Sequence, residues 1–230
     1  MIADRAHYVV DIETLGVRDD AIIASVGIAI VENGRAREGF YAIADIGQTG
    51  RTEDDATLDW WDNKAPGAAF SEIFGSSTQK LEDILRDVDR FINTFSHAPI
   101  WGNGSDFDNR ILAHAFAQHG LRWPYWRNAC LRTLRNLVGG ERFKPTGERT
   151  PHIAINDALT EAEELIYLLG RISVKKNIDE MQEEIERDRA KGARQTDHRL
   201  AHGKGHLGDG EKFGWIMNEN CPLHGEKGKK

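Results

Sequence analysis

The fold of this chain is decided near its start, by the stretch His7-Tyr8-Val9-Val10-Asp11-Ile12-Glu13-Thr14-Leu15. The apolar residues predict a buried strand over 7–12, and two carboxylates stand at its end. Side chains two residues apart project from the same face of a strand, so Asp11 and Glu13 lie side by side. Such a pair can hold a divalent cation, although a plain polar strand end would look the same.

A second acidic segment reads Trp101-Gly102-Asn103-Gly104-Ser105-Asp106-Phe107-Asp108-Asn109-Arg110. We expect Ser105 to be the N-cap of a helix, with the Asp108 carboxylate near the third helical amide. Apolar residues at helical spacing support that helix. Capping alone could explain Asp108. Asp106 is a rival metal ligand, but it lies nearer the cap and is more easily explained as solvated, so we prefer Asp108.

The third segment is Pro151-His152-Ile153-Ala154-Ile155-Asn156-Asp157, which opens a predicted helix over 156–169 with Gly170 as its C′ residue. Asp157 falls in the first turn, where the helix dipole favours an anion in any case. His152 precedes the helix, and an imidazole suits abstraction of a proton from an attacking water. A surface loop histidine is the alternative.

Taken together, these segments resemble the motifs of the DEDDh branch of the DnaQ-like 3′–5′ exonucleases. Asp11-Ile12-Glu13-Thr14 matches the first motif, Asn103 with Phe107-Asp108 the second, and His152 with Asp157 the third. The resemblance covers about residues 7–170. Further stretches look more narrowly like the phage and bacterial subgroup of DexA-type exonucleases, namely Trp101-Gly-Asn-Gly, Thr57-Leu-Asp-Trp60-Trp61 and Tyr125-Trp126 with Cys130-Leu-Arg-Thr.

The resemblance implies an α/β ribonuclease H-like fold and hydrolysis of single-stranded nucleic acid from the 3′ end to nucleoside 5′-monophosphates. It implies that Asp11, Glu13, Asp108 and Asp157 hold two divalent cations, Mg²⁺ or Mn²⁺, while His152 is the general base. It also assigns Thr14, Leu15, Trp101 and Asn103 to substrate binding. Two alternatives stay open: a catalytically silent nucleic-acid-binding or adaptor module on the same fold, and a ribonuclease H-type endonuclease.

Composition is compatible with an intracellular enzyme. The chain has 230 residues, a net charge of −7 and only two cysteines, Cys130 and Cys221, which argues against a disulfide framework. It has neither a membrane-spanning stretch nor a signal peptide, so we predict a cytoplasmic protein with no membrane partner. DNA or RNA with a free 3′ end is the expected partner, and a homodimer is left open.

One basic segment stands out against this negative charge. Residues 122–149 contain seven basic and two acidic residues, a net charge of +5, with tryptophan and tyrosine among the first arginines. Arginines on phosphates and aromatic rings under unstacked bases are how single strands are bound. We therefore expect Arg127 and Arg132 to bind substrate. The alternative is an amphipathic helix with a solvated basic face and core tryptophans.

The remaining pattern predicts a mixed five-stranded sheet flanked by helices. Strands are expected at 7–12, 21–31, 37–44 and around 99–101, with a hairpin turn at Glu32-Asn33-Gly34 and a fifth strand between motifs. Helices are expected at 55–63, 81–95 and 125–137 besides those of the second and third motifs. Three parts are predicted: an exonuclease domain over 1–170, a charged helical extension over 171–191, and a flexible Gly- and His-rich tail over 192–230. The tail's histidines and Cys221 match no trusted zinc-ligand spacing.

Overall fold

The computed structural model describes residues 5–75, 78–139 and 143–202. A single five-stranded sheet has the strand order β3-β2-β1-β4-β5. Its strands are β1 (His7–Thr14), β2 (Ile23–Glu32), β3 (Arg35–Ile43), β4 (Ile100–Gly102) and β5 (Asn128–Cys130). The first three strands pair antiparallel, whereas β4 and β5 run parallel to β1. The predicted α/β class with a mixed five-stranded sheet is confirmed.

The hairpin between β2 and β3 turns at Asn33 and Gly34, as predicted. Both residues have left-handed backbone conformations, with φ angles of 52° and 70°. An Asn-Gly pair adopts this conformation at little cost, and its twist matches that of the flanking strands. Strand β2 in turn pairs with β1 in the register that places Asp11 opposite Gly27.

The described residues form six α-helices: α1 (Asp55–Asn63), α2 (Gly67–Gly75), α3 (Leu81–Ile92), α4 (Asp108–Gln118), α5 (Leu131–Val138) and α6 (Ala154–His202). The pattern did not predict α2. The helix predicted near 125–137 is confirmed only from Leu131 onward, because the chain forms a 3-10 turn at Tyr125–Arg127 and then strand β5 before α5 begins. Residues 128–130 pair with the open edge of β4, a tertiary interaction that local spacing does not reveal.

The two faces of the sheet are covered by different helices. Tyr8, Val10 and Ile12 pack in a core cluster with buried residues of α3 and α4. Val9 lies on the opposite face, in a second cluster with Leu131 and residues of α6. Because side chains alternate along a strand, Asp11 and Glu13 share the face of Val9. The two carboxylates of β1 are therefore directed to the side of the sheet that α6 covers.

The prediction that this helix ends at Gly170 is wrong, because α6 continues to His202. A glycine inside a helix costs only about 1 kcal/mol, and the residues around it are good helix formers. Residues 171–191 and the first part of the predicted tail are thus helical. The rest of that tail, with His206, Cys221 and His224, lies outside the described residues.

The chain divides into two compact units, residues 1–179 and 180–230. The first contains the sheet, helices α1 to α5 and the start of α6, and the described part of the second is the remainder of α6. Within the described residues, every helix is too short or too polar to cross a membrane.

Candidate metal centre and active site

A cavity of about 450 Å³ opens where the three sequence motifs meet. It is lined by residues from the end of β1, the loop after β4, the start of α4, and helices α5 and α6. All five predicted motif residues line it, namely Asp11, Glu13, Asp108, His152 and Asp157. Segments that are far apart in sequence are thus brought to one site, as predicted.

Burial is the largest influence on the pKa values of both β1 carboxylates. It raises the pKa of Asp11 well above its usual range, and the neighbouring carboxylates raise it further. Burial raises the pKa of Glu13 to about 8, with added repulsion from Asp157 and Asp108. Among the described residues, none offers a hydrogen bond to Oδ2 of Asp11. These groups need protons or cations to be stable where they are.

Asp108 is the first residue of α4, but Ser105 does not cap that helix. The N-cap position is Phe107, and no side chain caps it. The predicted Ser105 cap is therefore wrong: the carboxylate of Asp108 accepts backbone hydrogen bonds from its own residue and from Ile12. Burial still raises the pKa of Asp108 to about 7, against the opposing effect of those hydrogen bonds and of Arg132. The contact with Ile12 ties the start of α4 to β1, so Asp108 belongs to the site rather than to a cap.

His152 has a strained backbone that the site itself holds in place. Its φ angle is 61°, a left-handed conformation that is uncommon for a residue other than glycine. Its N–H donates to Oδ2 of Asp157 at 2.8 Å. Its ring meets that of Trp60 edge to face, with 4.6 Å between centroids. Nδ1 or Nε2 of the imidazole and one oxygen each of Glu13 and Asp157 all lie within 4.8 Å of one another, close enough to share a metal ion.

The approach of α6 to the sheet depends on Gly27, which sequence reasoning missed. A Cβ at this position would lie 2.3 Å from the carbonyl carbon of Ala154, the first residue of α6. Backbone cannot move aside as a flexible side chain can. Gly27 therefore lets the start of α6, with His152 and Asp157, lie against the strand that pairs with Asp11.

We expect Gly27→Ala to destabilise the protein by roughly 1–3 kcal/mol, as over-packing does, and to lower activity because α6 is displaced. Urea unfolding of the variant measures the loss. Gly67→Ala is the control, since a Cβ there meets nothing within 4 Å. Equal stability of the two variants would contradict this account of Gly27.

Glu161 is a further carboxylate of the site that sequence reasoning missed. It lines the same cavity and is buried, and burial followed by the charges of Asp108 and Asp157 raises its pKa well above the usual range. The signal was present in the sequence, because residues four apart share one face of a helix and Asp157 begins that face. One turn on, Glu164 accepts two hydrogen bonds of 2.6 Å from Arg135.

A family model for the 3′-5′ exoribonuclease Rv2179c-like domain matches residues 6–169. The chain belongs to this family. The match covers the sheet, all five motif residues and Glu161, and it ends within α6. It supports the DEDDh-type 3′–5′ exonuclease resemblance seen in the sequence. A search of curated proteins found no match.

Solved structures show the same fold at low sequence identity. Cell-death related nuclease 4 (CRN-4) is 14% identical with a TM-score of 0.51, and the match covers 72% of this chain and 64% of that one. E. coli exonuclease I in complex with a dT13 oligonucleotide is 11% identical with a TM-score of 0.55, over 76% of this chain and 43% of that one. The chain thus spans less than two thirds of either protein. The ribonuclease H-like fold is confirmed.

Four of the six residues assigned to substrate binding do not line the cavity: Thr14, Leu15, Trp101 and Arg127. Leu15 is 1% exposed and packs with Trp61 in a third apolar cluster. Thr14 donates its hydroxyl to the carbonyl of Gly16. Trp101 packs against the second cluster, and its Nε1 donates to Nδ1 of His7. The side chains of Thr14, Leu15 and Trp101 therefore make contacts within the fold and do not face the cavity.

Asn103 and Arg132 do line the cavity, whereas Arg127 does not. The Arg127 guanidinium is buried and donates to the carbonyls of Ala98, Ile92 and Phe95 at 2.7–3.0 Å. The expectation that Arg127 binds substrate is wrong, because its donors are already used inside the fold. Arg132 is exposed and makes no ion pair within the described part of the chain.

Much of the basic segment is likewise used internally. Arg135 pairs with Glu164, and Arg149 pairs with Glu163. Trp123 is buried, whereas Trp126 is 62% exposed beneath the Arg122 guanidinium. Tyr125 and Trp126 precede β5, while the cavity lies beyond the other end of its partner β4. The described residues of this segment, 122–139 and 143–149, do not form one continuous strand-binding face at the cavity.

Proposed function

We propose that this protein is a metal-dependent 3′–5′ exonuclease that releases nucleoside 5′-monophosphates from single-stranded nucleic acid. The proposal depends on one observation above all: four carboxylates and one imidazole from three distant segments line one cavity. Membership of an exoribonuclease family supports it and favours RNA as the substrate class. The assignment to the DexA-type subgroup, a cytoplasmic location and a homodimer remain predictions.

The donor set fits two Mg²⁺ or Mn²⁺ ions. Both prefer carboxylate oxygens, and the unpartnered Oδ2 of Asp11 is a buried oxygen that a cation would satisfy. Asp11, Glu13, Asp108 and Asp157 would hold the pair. When bound, two such ions activate a water and stabilise the leaving oxygen of a phosphodiester.

His152 would take the proton from the attacking water. The hydrogen bond from its backbone to Asp157 and the ring contact with Trp60 hold the imidazole at the edge of the acidic cluster. In that position an imidazole nitrogen lies within 4.8 Å of a carboxylate oxygen of both Glu13 and Asp157. Proton transfer to a positioned imidazole is the ordinary role of histidine near neutral pH.

The test uses 5′-labelled single strands of RNA and DNA with Mn²⁺. We expect a descending ladder, faster on RNA, that EDTA abolishes and a blocked 3′ end prevents. Mononucleotide release from the 5′ end would contradict the proposed direction. Cleavage of a circular single strand would instead identify a ribonuclease H-type endonuclease, and no cleavage of any strand would indicate a binding or adaptor module.

Trp60 positions the catalytic imidazole, so its loss should affect turnover more than substrate binding. We expect Trp60→Ala to lower kcat by up to about 10²-fold, the cost of a misplaced catalytic group. KM and Mn²⁺ affinity should change little, because Trp60 does not line the cavity. Trp60→Phe keeps an aromatic ring against His152 and should recover most of kcat. A change confined to KM would contradict this role.

Arg132 and Arg127 make a matched pair for testing the basic segment. Arg132→Ala should raise KM and lower the slope of log affinity against log salt by about 0.7, the effect of one lost single-strand phosphate contact. Arg127→Ala should leave that slope unchanged and destabilise the fold, because three buried carbonyls lose their donor. Binding measured across a salt series, with urea unfolding, separates the two. An unchanged salt dependence of binding for Arg132→Ala would show that Arg132 does not contact a phosphate.

A further inference from the structure

Glu161 lies one helical turn after Asp157 on α6 and lines the same cavity. Its side chain is more than nine-tenths buried, at 9% exposure. Its Oε2 oxygen has no hydrogen-bond partner among the described residues, a property that it shares with Oδ2 of Asp11. The cavity thus contains two buried carboxylate oxygens that lack a donor.

A buried carboxylate without a donor or cation is costly, so the surroundings of Glu161 need an explanation. The nearby guanidinium of Arg135 does not satisfy it, because Nε and Nη2 both bind Glu164 at 2.6 Å. Its other charged neighbours include Asp108 and Asp157, which repel it. Asp11 and Glu161 line the same cavity, and the charge of Glu161 adds to the repulsion that raises the pKa of Asp11. A cation in the cavity would satisfy both oxygens while leaving the two carboxylates ionised.

The charge of the cavity agrees with this interpretation. The lining includes six carboxylates, those of Asp11, Glu13, Asp108, Asp157, Glu161 and Glu164, and two guanidiniums, those of Arg132 and Arg135. With His152 neutral and every carboxylate ionised, four negative charges are left, which two divalent cations neutralise. The summed charge of this lining and the two cations is zero only if Glu161 is counted as an anion.

We propose that Glu161 is a fifth carboxylate of the metal centre, and that its Oε2 and the Oδ2 of Asp11 bind the same divalent cation. This inference rests on the proposed function, since it adds a ligand to that metal pair. Glu13 and Asp157, which offer oxygens within 4.8 Å of each other, then mark one cation position, and Asp11 with Glu161 marks the other.

The test is a calorimetric titration of Mn²⁺ into the metal-free full-length chain at one pH, for wild type, Glu161→Gln and Glu163→Gln. Glu163 is the matched control, because it lies on the same helix but pairs with Arg149 and does not line the cavity. We expect Glu161→Gln to weaken one of the two Mn²⁺ binding events by about 10–100-fold, as the loss of a group supporting a metal does. Glu163→Gln should keep wild-type affinity.

Glu161→Met provides a second variant in case the glutamine variant does not fold, since an apolar side chain of similar size often suits a buried ionic position. It should show the same loss of Mn²⁺ affinity. Wild-type affinity in a folded Glu161 variant would overturn the assignment of Glu161 and leave the proposed function standing. Absence of Mn²⁺ binding by wild type would overturn both.

Discussion

Asp11→Asn is expected to abolish cleavage and to weaken the stabilisation by Mn²⁺, while the metal-free protein becomes at least as stable as wild type. Oδ2 of Asp11 is buried, and the neighbouring Asp108, Glu161 and Glu13 all repel the charge of Asp11. The substitution removes that repulsion together with one metal-ligand oxygen. Melting curves with and without Mn²⁺ measure both effects, because a ligand stabilises the folded state more strongly the more tightly it binds that state.

The control is Asp106→Asn, which removes an exposed carboxylate that does not line the cavity. We expect this variant to cleave and to respond to Mn²⁺ as wild type does. A metal-free Asp11→Asn protein that melts well below wild type would show that the carboxylate contributes to the fold rather than to a metal site.

Burial of the site carboxylates gives the metal-free protein a defined pH dependence. Folding raises the pKa of Glu13 to about 8 and that of Asp108 to about 7. The folded state therefore binds more protons than the unfolded state between the ordinary carboxyl pKa values and these raised ones. The stability of the metal-free protein therefore falls as pH rises through that window. The affinity for Mn²⁺ rises over the same window, because Mn²⁺ competes with the protons for the carboxylates.

His152→Ala should differ from Asp11→Asn because the imidazole is proposed as a base. We expect activity to fall by about 10²–10⁴-fold, the range for general-base catalysis, while the rise in melting temperature with Mn²⁺ persists. The proximity of His152 to Glu13 and Asp157 makes the experiment decisive, since all three could hold one metal ion.

Exposed His97 supplies the control, and His97→Ala should keep both activity and the Mn²⁺ response. If His152→Ala loses the Mn²⁺ response as completely as Asp11→Asn, His152 is a metal ligand and its role as base is wrong. If activity falls by less than about tenfold and the response to Mn²⁺ is intact, another group carries out the proton transfer.

Local patterns were sufficient for the elements whose signal lies within a few residues. The apolar run before Asp11 predicted β1, and Asn33-Gly34 predicted the hairpin because its backbone preference is intrinsic. The spacing of apolar residues predicted α3 and the start of α6. One error arose where a distant partner decided the outcome, since β5 forms because β4 offers an unpaired edge. The predicted Ser105 cap is wrong because α4 begins at Asp108, with Phe107 at the N-cap position.

By itself, the sequence determined the family motifs and with them the residues that carry the chemistry. Their side-chain types and spacing are properties of the chain, and cations require those types whatever the surroundings. Only the tertiary structure decided which other charged groups share the cavity. It buried Arg127 against three carbonyls, left Arg132 facing the site and brought Glu161 into the cavity that Asp11 lines. Burial and pairing depend on how α5 and α6 pack across the sheet, and residue spacing within one segment does not encode that packing.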